Sequence, residues 1–219
     1  MLDGLPAPAR RWFDRVLVPG VVLPHRAWLW MHGEIKLGGR WRDFTAEQLL
    51  VPESGFVWAA RCRWGPFEVS GYDAYAAGCG RLRWTVLGAP VLSRSDGDVT
   101  RSALDRFAAE STMLPTSLLT VPWWNLQQDD SAVYLHRARG RCARARVTAR
   151  IGEDGRLLGV RMRRWGAPNG GPYAVHPFTV EFAGEFSAGA MRVPDGISAR
   201  WPDAGGEFFR ARLDRVELE

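Results

Sequence analysis

Three cysteines in 219 residues, Cys62, Cys79 and Cys142, are odd in number, widely spaced and free of any C-x-x-C pair. That spacing argues against a disulfide framework and a zinc knuckle and fits a reducing compartment. The opening stretch MLDGLPAPARRWFDRVLVPG holds no apolar run long enough for a signal peptide or a membrane span, so a cytoplasmic chain is expected. Lysine is almost missing: of 29 Lys and Arg, only Lys36 is lysine. The net charge of +5 and pI near 9.6 therefore read as the arginine-rich composition of a GC-rich bacterial genome rather than as a nucleic-acid signal. The chain has no G-x-S-x-G elbow, P-loop or dinucleotide fingerprint, and no cofactor is expected. His32, His136 and His176 sit on separate segments without H-x-x-x-H or H-x-H spacing, so no metal site is expected either. With no linker, repeat or low-complexity tract, residues 1–219 read as a single domain.

What is present is apolar and aromatic. The chain is 46% hydrophobic and carries eleven tryptophans. Each indole needs apolar surroundings and a partner for its N–H, which points to a thick core or an aromatic-lined cavity. Residues 98–124, DVTRSALDRFAAESTMLPTSLLTVPWW, form the only long internal stretch that does not read as strand. Val99, Ala103, Phe107, Met113 and Leu114 recur at helical spacing, while Arg101, Asp105, Arg106 and Glu110 point elsewhere. Asp98, Thr100 or Ser102 is the expected cap, and Pro115 is expected to stop or kink the helix. The apolar TSLLTVPWW beyond it is expected to stay against the core. A second, shorter helix is expected within residues 6–18, starting near Pro8 and ended by Pro19 and Gly20.

Elsewhere the period is two. AWLWMHGEIKL puts Trp28, Trp30, His32 and Glu34 on one face and Leu29, Met31, Ile35 and Leu37 on the other. RCARARVTARI alternates Ala143, Ala145, Val147, Ala149 and Ile151 with Arg144, Arg146, Thr148 and Arg150, the pattern of a half-buried strand. Gly and Pro turn signals every 8 to 12 residues or so mark an antiparallel meander rather than a β-α-β sheet. The expected fold is mainly β: one large curved antiparallel sheet of about ten strands, a half-barrel, wrapped on a central proline-broken helix, with a short N-terminal helix.

The segments GEIKL, WRDFTAEQ, PESGFVWAA, YDAYAAGCGRL, AESTMLPTSLL and MRVPDGISARW together resemble a bacterial family known only as a domain of unknown function. The likeness runs over most of the chain and carries over no catalytic role. The order helix, strands, proline-broken helix, strands also resembles the half-barrel of periplasmic lipoprotein carriers, where a curved sheet wraps helices and holds acyl chains. A counterpart of those carriers' signal peptide is not expected from the opening residues.

A sheet curved over a helix places its pocket where the concave side chains meet the helix, and such pockets are mostly apolar. Trp28, Trp30, Trp58, Trp84, Phe107, Trp123, Trp124 and Tyr134 are the ligand-binding candidates, with ordinary core packing as their alternative. Glu110, one turn before the proline, and Asp73, between Tyr72 and Tyr75, are the candidate acid–base pair, with ion pairing to arginine as the plainer role. The expected function is binding of a hydrophobic small molecule or lipid-like ligand between sheet and helix. An isomerase, cyclase or hydrolase acting through Glu110 or Asp73 is the alternative. Nucleic-acid binding by Arg144, Arg146 and Arg150 ranks lower, because no aromatic platform accompanies them.

Overall fold

The structure, a computed structural model, describes residues 2–20, 22–52, 54–119, 124–126, 131–137, 144–189 and 191–219, apart from the side chains of Leu126, Arg137 and Arg144. Helix α1 (Ala7–Val16) is followed by a six-strand meander: β1 (Ala27–Leu37), β2 (Arg40–Val51), β3 (Gly55–Trp64), β4 (Phe67–Ala76), β5 (Cys79–Val86) and β6 (Ala89–Arg94). Helix α2 (Gly97–Glu110) comes next, then β7 (Trp124–Leu126), β8 (Ala132–Arg137), β9 (Arg144–Ile151), β10 (Leu157–Gly166) and β11 (Ala174–Ala183). The chain ends with β12 (Phe186–Ala188), β13 (Met191–Val193), β14 (Gly196–Trp201) and β15 (Gly206–Leu218).

Thirteen of these strands form one open antiparallel sheet, in the order β6-β5-β4-β3-β2-β1-β15-β14-β11-β10-β9-β8-β7. The half-barrel with a central and an N-terminal helix is therefore the fold found, with the short edge strands β6 and β7 beyond the ten or so expected. The two meanders meet at β15, which pairs with β1 on one side and β14 on the other. β12 and β13 form a separate hairpin beside α1, tied to it by the Leu17–Met191 bridge and the Arg15–Glu185 ion pair at 2.6 Å. That bridge pulls Leu17 into an extended conformation, so α1 ends at Val16, before Pro19 is reached.

Alternation sets which face each strand buries. Leu29 and Met31 in β1, Phe44, Ala46 and Leu50 in β2, and Val147, Ala149 and Ile151 in β9 turn inward, while Thr45, Glu47 and Arg146 stay exposed. Both helices lie on this inner face. Trp12 and Phe13 of α1 and Ala108 and Ala109 of α2 share one buried cluster with Tyr134, Val147 and Val160.

Helix α2 is anchored to both halves of the sheet, and glycine makes one anchor possible. At Gly80 a Cβ atom would lie 2.6 Å from the Thr100 Cα, so strand and helix backbones touch there. The Gly80 N–H donates to Thr100 Oγ1 at 3.0 Å. On the opposite side, the Trp165 backbone N–H donates to Asp105 at 2.7 Å and its indole Nε1 to Asp98 at 3.0 Å. Asp98 and Thr100 are thus used in tertiary bonds, and the cap is Asp96, whose carboxylate accepts from the Val99 N–H at 3.0 Å. At the other end the α-helix stops at Glu110 and tightens into a 3₁₀ turn over Ser111–Met113. Leu114 leaves the helical region ahead of Pro115 (φ −132°, ψ 77°), and a second 3₁₀ turn, Pro115–Leu118, restarts the chain against the core. Of the apolar tail, Leu118 is buried, while 120–123 lie outside the described residues.

Candidate functional site

Between α2 and the concave face lies a cavity of about 330 Å³. Its apolar wall comes from β1 (Leu29, Met31, Ile35, Leu37), β11 (Phe178, Val180, Phe182), β14 (Ile197, Ala199, Trp201) and β15 (Phe208, Phe209). Trp58, Trp84, Ala109 and Met113 close it further. Five polar side chains reach in: Gln48, Asp73, Arg106, Glu110 and Arg164.

Four of the five form a network around Arg106. Its Nε donates to Glu110 at 2.6 Å and a terminal nitrogen donates to Asp73 at 2.9 Å. Gln48 donates to the second oxygen of Glu110 at 2.6 Å, and the Trp84 indole donates to Asp73 at 3.3 Å. The guanidinium also lies over Phe56 and Trp58, 4.8 and 5.0 Å from the ring centroids. Arg106 keeps 17% of its side-chain surface, Asp73 29% and Glu110 23%, and all three line the cavity. Burial pushes the Asp73 carboxyl above the usual carboxylate range, against the opposing pull of Arg106 and the Trp84 N–H.

Arg164 stands apart. It occupies the inward register of β10 with Val160 and Met162, its guanidinium 4.7 Å from the Phe178 centroid and 5.2 Å from that of Trp201. Its Nε is buried without a hydrogen-bond partner, and among the described residues no ion pair reaches it. Burial and the like charge of Arg106 lower its pKa to about 10. Asp105, Glu110 and Asp73 pull the other way through space without forming an ion pair with it, and Asp105 is itself engaged by the Trp165 N–H. The Trp58 indole N–H is likewise buried and unpartnered.

The candidates read from sequence separate into three groups. Trp58 and Trp84 line the cavity, as do Glu110 and Asp73, and Arg106 brings the two acids together. Trp28 and Trp30 do not: they stack on each other at 6.1 Å on the face opposite Leu29 and Met31, with Arg215 over Trp30. Phe107, Trp124 and Tyr134 are packed in the core instead. Phe107 is wedged between Tyr75 and Phe56 of the first meander and His136 of the second. Tyr134 donates to the Ala108 carbonyl at 2.8 Å, and Trp124 to that of Leu118 at 3.1 Å. Trp123 lies outside the described residues.

The other charged candidates are dispersed. His32 bonds Asp214, His176 bonds Asp203, and His136 is buried beside Phe107 with its pKa lowered to about 4 by desolvation. No group of three or more His, Cys, Asp or Glu among the described residues is placed to hold a metal ion. Arg146 is exposed on the outer face, and Arg150 pairs with Glu181 of β11. The Arg144 side chain is outside the described set. Among described residues, no helix is long and apolar enough to cross a membrane.

Sequence reasoning missed Arg106, Gln48, Arg164 and the aromatic wall of Phe178, Trp201, Phe208 and Phe209. A signal for Arg164 was there: in GVRMRRW, Val160, Met162 and Arg164 share one alternation, which places an arginine on an apolar face. No signal marked Gln48, whose burial at 4% exposure follows from where α2 lies.

Residues 1–213 match the family of unknown function DUF6544, and the chain belongs to that family. No curated protein matches it by sequence. Its fold is similar to that of a LolA-superfamily protein from Nitrosomonas europaea, with a TM-score of 0.51 and 10% identity over 97% of this chain and 92% of that one. A DUF1329-family protein from Desulfovibrio piger gives 0.47 and 9% over 97% and 90% of the two chains. A domain from Vibrio parahaemolyticus assigned to outer-membrane lipoprotein sorting gives 0.45 and 9% over 89% and 85%. At such identities the first of these likenesses is one of fold alone.

Proposed function

We propose that this DUF6544 chain binds a hydrophobic small molecule or lipid-like ligand in the cavity between α2 and the concave face of its sheet. The observation that carries the reading is the cavity itself. Close-packed interiors keep few voids larger than a water molecule, whereas about 330 Å³ lies within the roughly 300–1,000 Å³ of small-molecule sites. Its walls also have the composition of such a site, mostly aliphatic and aromatic with a few convergent polar groups.

Lipid extraction and native mass spectrometry of the purified chain test this, together with titration of an alkyl probe against the fluorescence of Trp58, Trp84 and Trp201. Val180→Trp, which fills the cavity from β11, should abolish probe binding while the chain stays folded. No co-purifying molecule, and no probe binding that Val180→Trp removes, would overturn the reading.

The rival reading is an acid–base enzyme in the same cavity, and the convergence of Asp73 and Glu110 favours it. A general acid or base needs a carboxylate free to exchange its proton with a substrate. Here each carboxylate is held by two donors, Glu110 by Arg106 and Gln48, and Asp73 by Arg106 and Trp84. That makes them a structural network first, and ligand binding is the reading the geometry supports better.

A further inference from the structure

Resting on the binding function above, we infer that the ligand is an acid: an alkyl-chain carboxylate whose head pairs with Arg164 while its apolar body fills the cavity. The charges in the cavity are balanced in number and unequally shared. Asp73 and Glu110 supply two negative charges, and Arg106 takes both of them. Arg164 forms no ion pair among the described residues: Asp105, Glu110 and Asp73 act on its charge only through space, and its guanidinium lies against the faces of Phe178 and Trp201.

A guanidinium nitrogen buried without a hydrogen-bond partner is costly to a protein interior, and the Nε of Arg164 is one. Contact with two aromatic faces offsets part of that cost but satisfies no N–H. The Trp58 indole N–H is a second buried, unpartnered donor on the same cavity. Donors without acceptors, in a cavity whose own carboxylates are already engaged, select a ligand that brings its own acceptor oxygens. A carboxylate matches best, because its two oxygens fit the planar fork of a guanidinium in a bidentate pair. The carboxylates already present do not compete, since Gln48, Trp84 and Arg106 occupy them. An alkylammonium would meet Arg164 and Arg106 as like charges, and an alcohol would leave the guanidinium charge uncompensated.

Three probes of equal chain length test this on the delipidated full chain: dodecanoate, dodecanol and dodecyltrimethylammonium, titrated by isothermal calorimetry at pH 7.5. Dodecanoate should bind at least about tenfold more tightly than either of the others, the scale of a charge-assisted hydrogen bond. Arg164→Met should erase that preference and leave dodecanol binding equal or improved, and Arg164→Lys should keep part of it. Equal or tighter binding of dodecanol by the unmodified chain would overturn the acidic-ligand inference while leaving a hydrophobic ligand in place. Failure of all three probes would overturn both. The comparison on the unmodified chain decides the question even where Arg164→Met does not fold.

Discussion

Replacing Arg106 by methionine removes the ion pair that joins α2 to Asp73 of the first meander. The substitution keeps the length and the apolar contact with Phe56 and Trp58 but leaves Asp73 with only the Trp84 N–H and Glu110 with only Gln48. Breaking a fully buried ion pair by deleting one partner costs roughly 3–5 kcal/mol, and exposed pairs are worth about 0–1. With Arg106 17% exposed and the two carboxylates 29% and 23%, the low end of the buried range applies, about 3 kcal/mol. The loss should also depend on pH. Burial already raises the Asp73 pKa, and removing the guanidinium raises it further. A carboxyl with a raised folded pKa contributes most stability below its unfolded value, near 3.8, and loses it as pH rises through the folded one. Arg106→Met should therefore be most destabilising at pH 7.5 and less so at pH 4.5, and adding Asp73→Asn should recover part of the loss. Urea unfolding followed by tryptophan fluorescence at both pH values measures this. A loss below about 1 kcal/mol, or one that does not shrink at acid pH, would refute the network as described.

Tyr134→Phe deletes the hydroxyl that donates to the Ala108 carbonyl; a cost of about 1 kcal/mol in urea unfolding with alkyl-probe binding unchanged is the expected outcome. Gly80→Ala forces a Cβ into the Thr100 backbone, and the overpacking should cost about 1–3 kcal/mol in the same assay while loosening α2 in hydrogen exchange. Asp96→Ala should lower the unfolding midpoint at pH 7, where the carboxylate caps α2. Because the Val99 N–H and Arg94 hold the Asp96 pKa below 3.8, that difference should vanish as pH falls below the folded value. His136, lowered from 6.5 to about 4, stays neutral when folded, so stability should fall as pH drops from about 6.5 to 4, by about 3 kcal/mol at most. His136→Phe should flatten that slope, as measured by acid titration of the unfolding free energy.

How much of this was legible in the sequence follows from which forces are local. Period-two patterns in β1 and β9 and the residues around Pro115 report their own burial and backbone preferences, so the sheet and the broken helix could be read. The insertion of β15 between the meanders could not, because pairing Ala27 with Leu218, from near opposite ends of the sequence, is a matter of closure rather than pattern. The same limit governs the site. Alternation separates Trp28 from Leu29 without saying which face is concave, and the two tryptophans fell on the outer one. Phe107 and Tyr134 have the aromatic bulk of cavity residues, but each meets a fixed partner that only the folded chain supplies, His136 against one and the Ala108 carbonyl on the other.

The position of α2 accounts for the character of the cavity. An amphipathic helix on a flat sheet turns its polar face to water, and Arg101 still does so. The half-barrel curves far enough that α2 touches β5 on one side and β10 on the other, so part of the polar face is enclosed as well. Arg106 and Glu110 then have to find partners inside, which Asp73 and Gln48 provide from β4 and β2. The far wall, from β1, β11, β14 and β15, is apolar. One side of the cavity is therefore a satisfied ionic network, the other a hydrophobic surface, with Arg164 between them as a cation that forms no ion pair among the described residues and whose Nε is buried without a hydrogen-bond partner. On the proposed binding function, a cavity of that composition would fix the orientation of an amphiphilic guest as well as admit it. Head-group selectivity is thus a sharper test of the fold's purpose than affinity for oil.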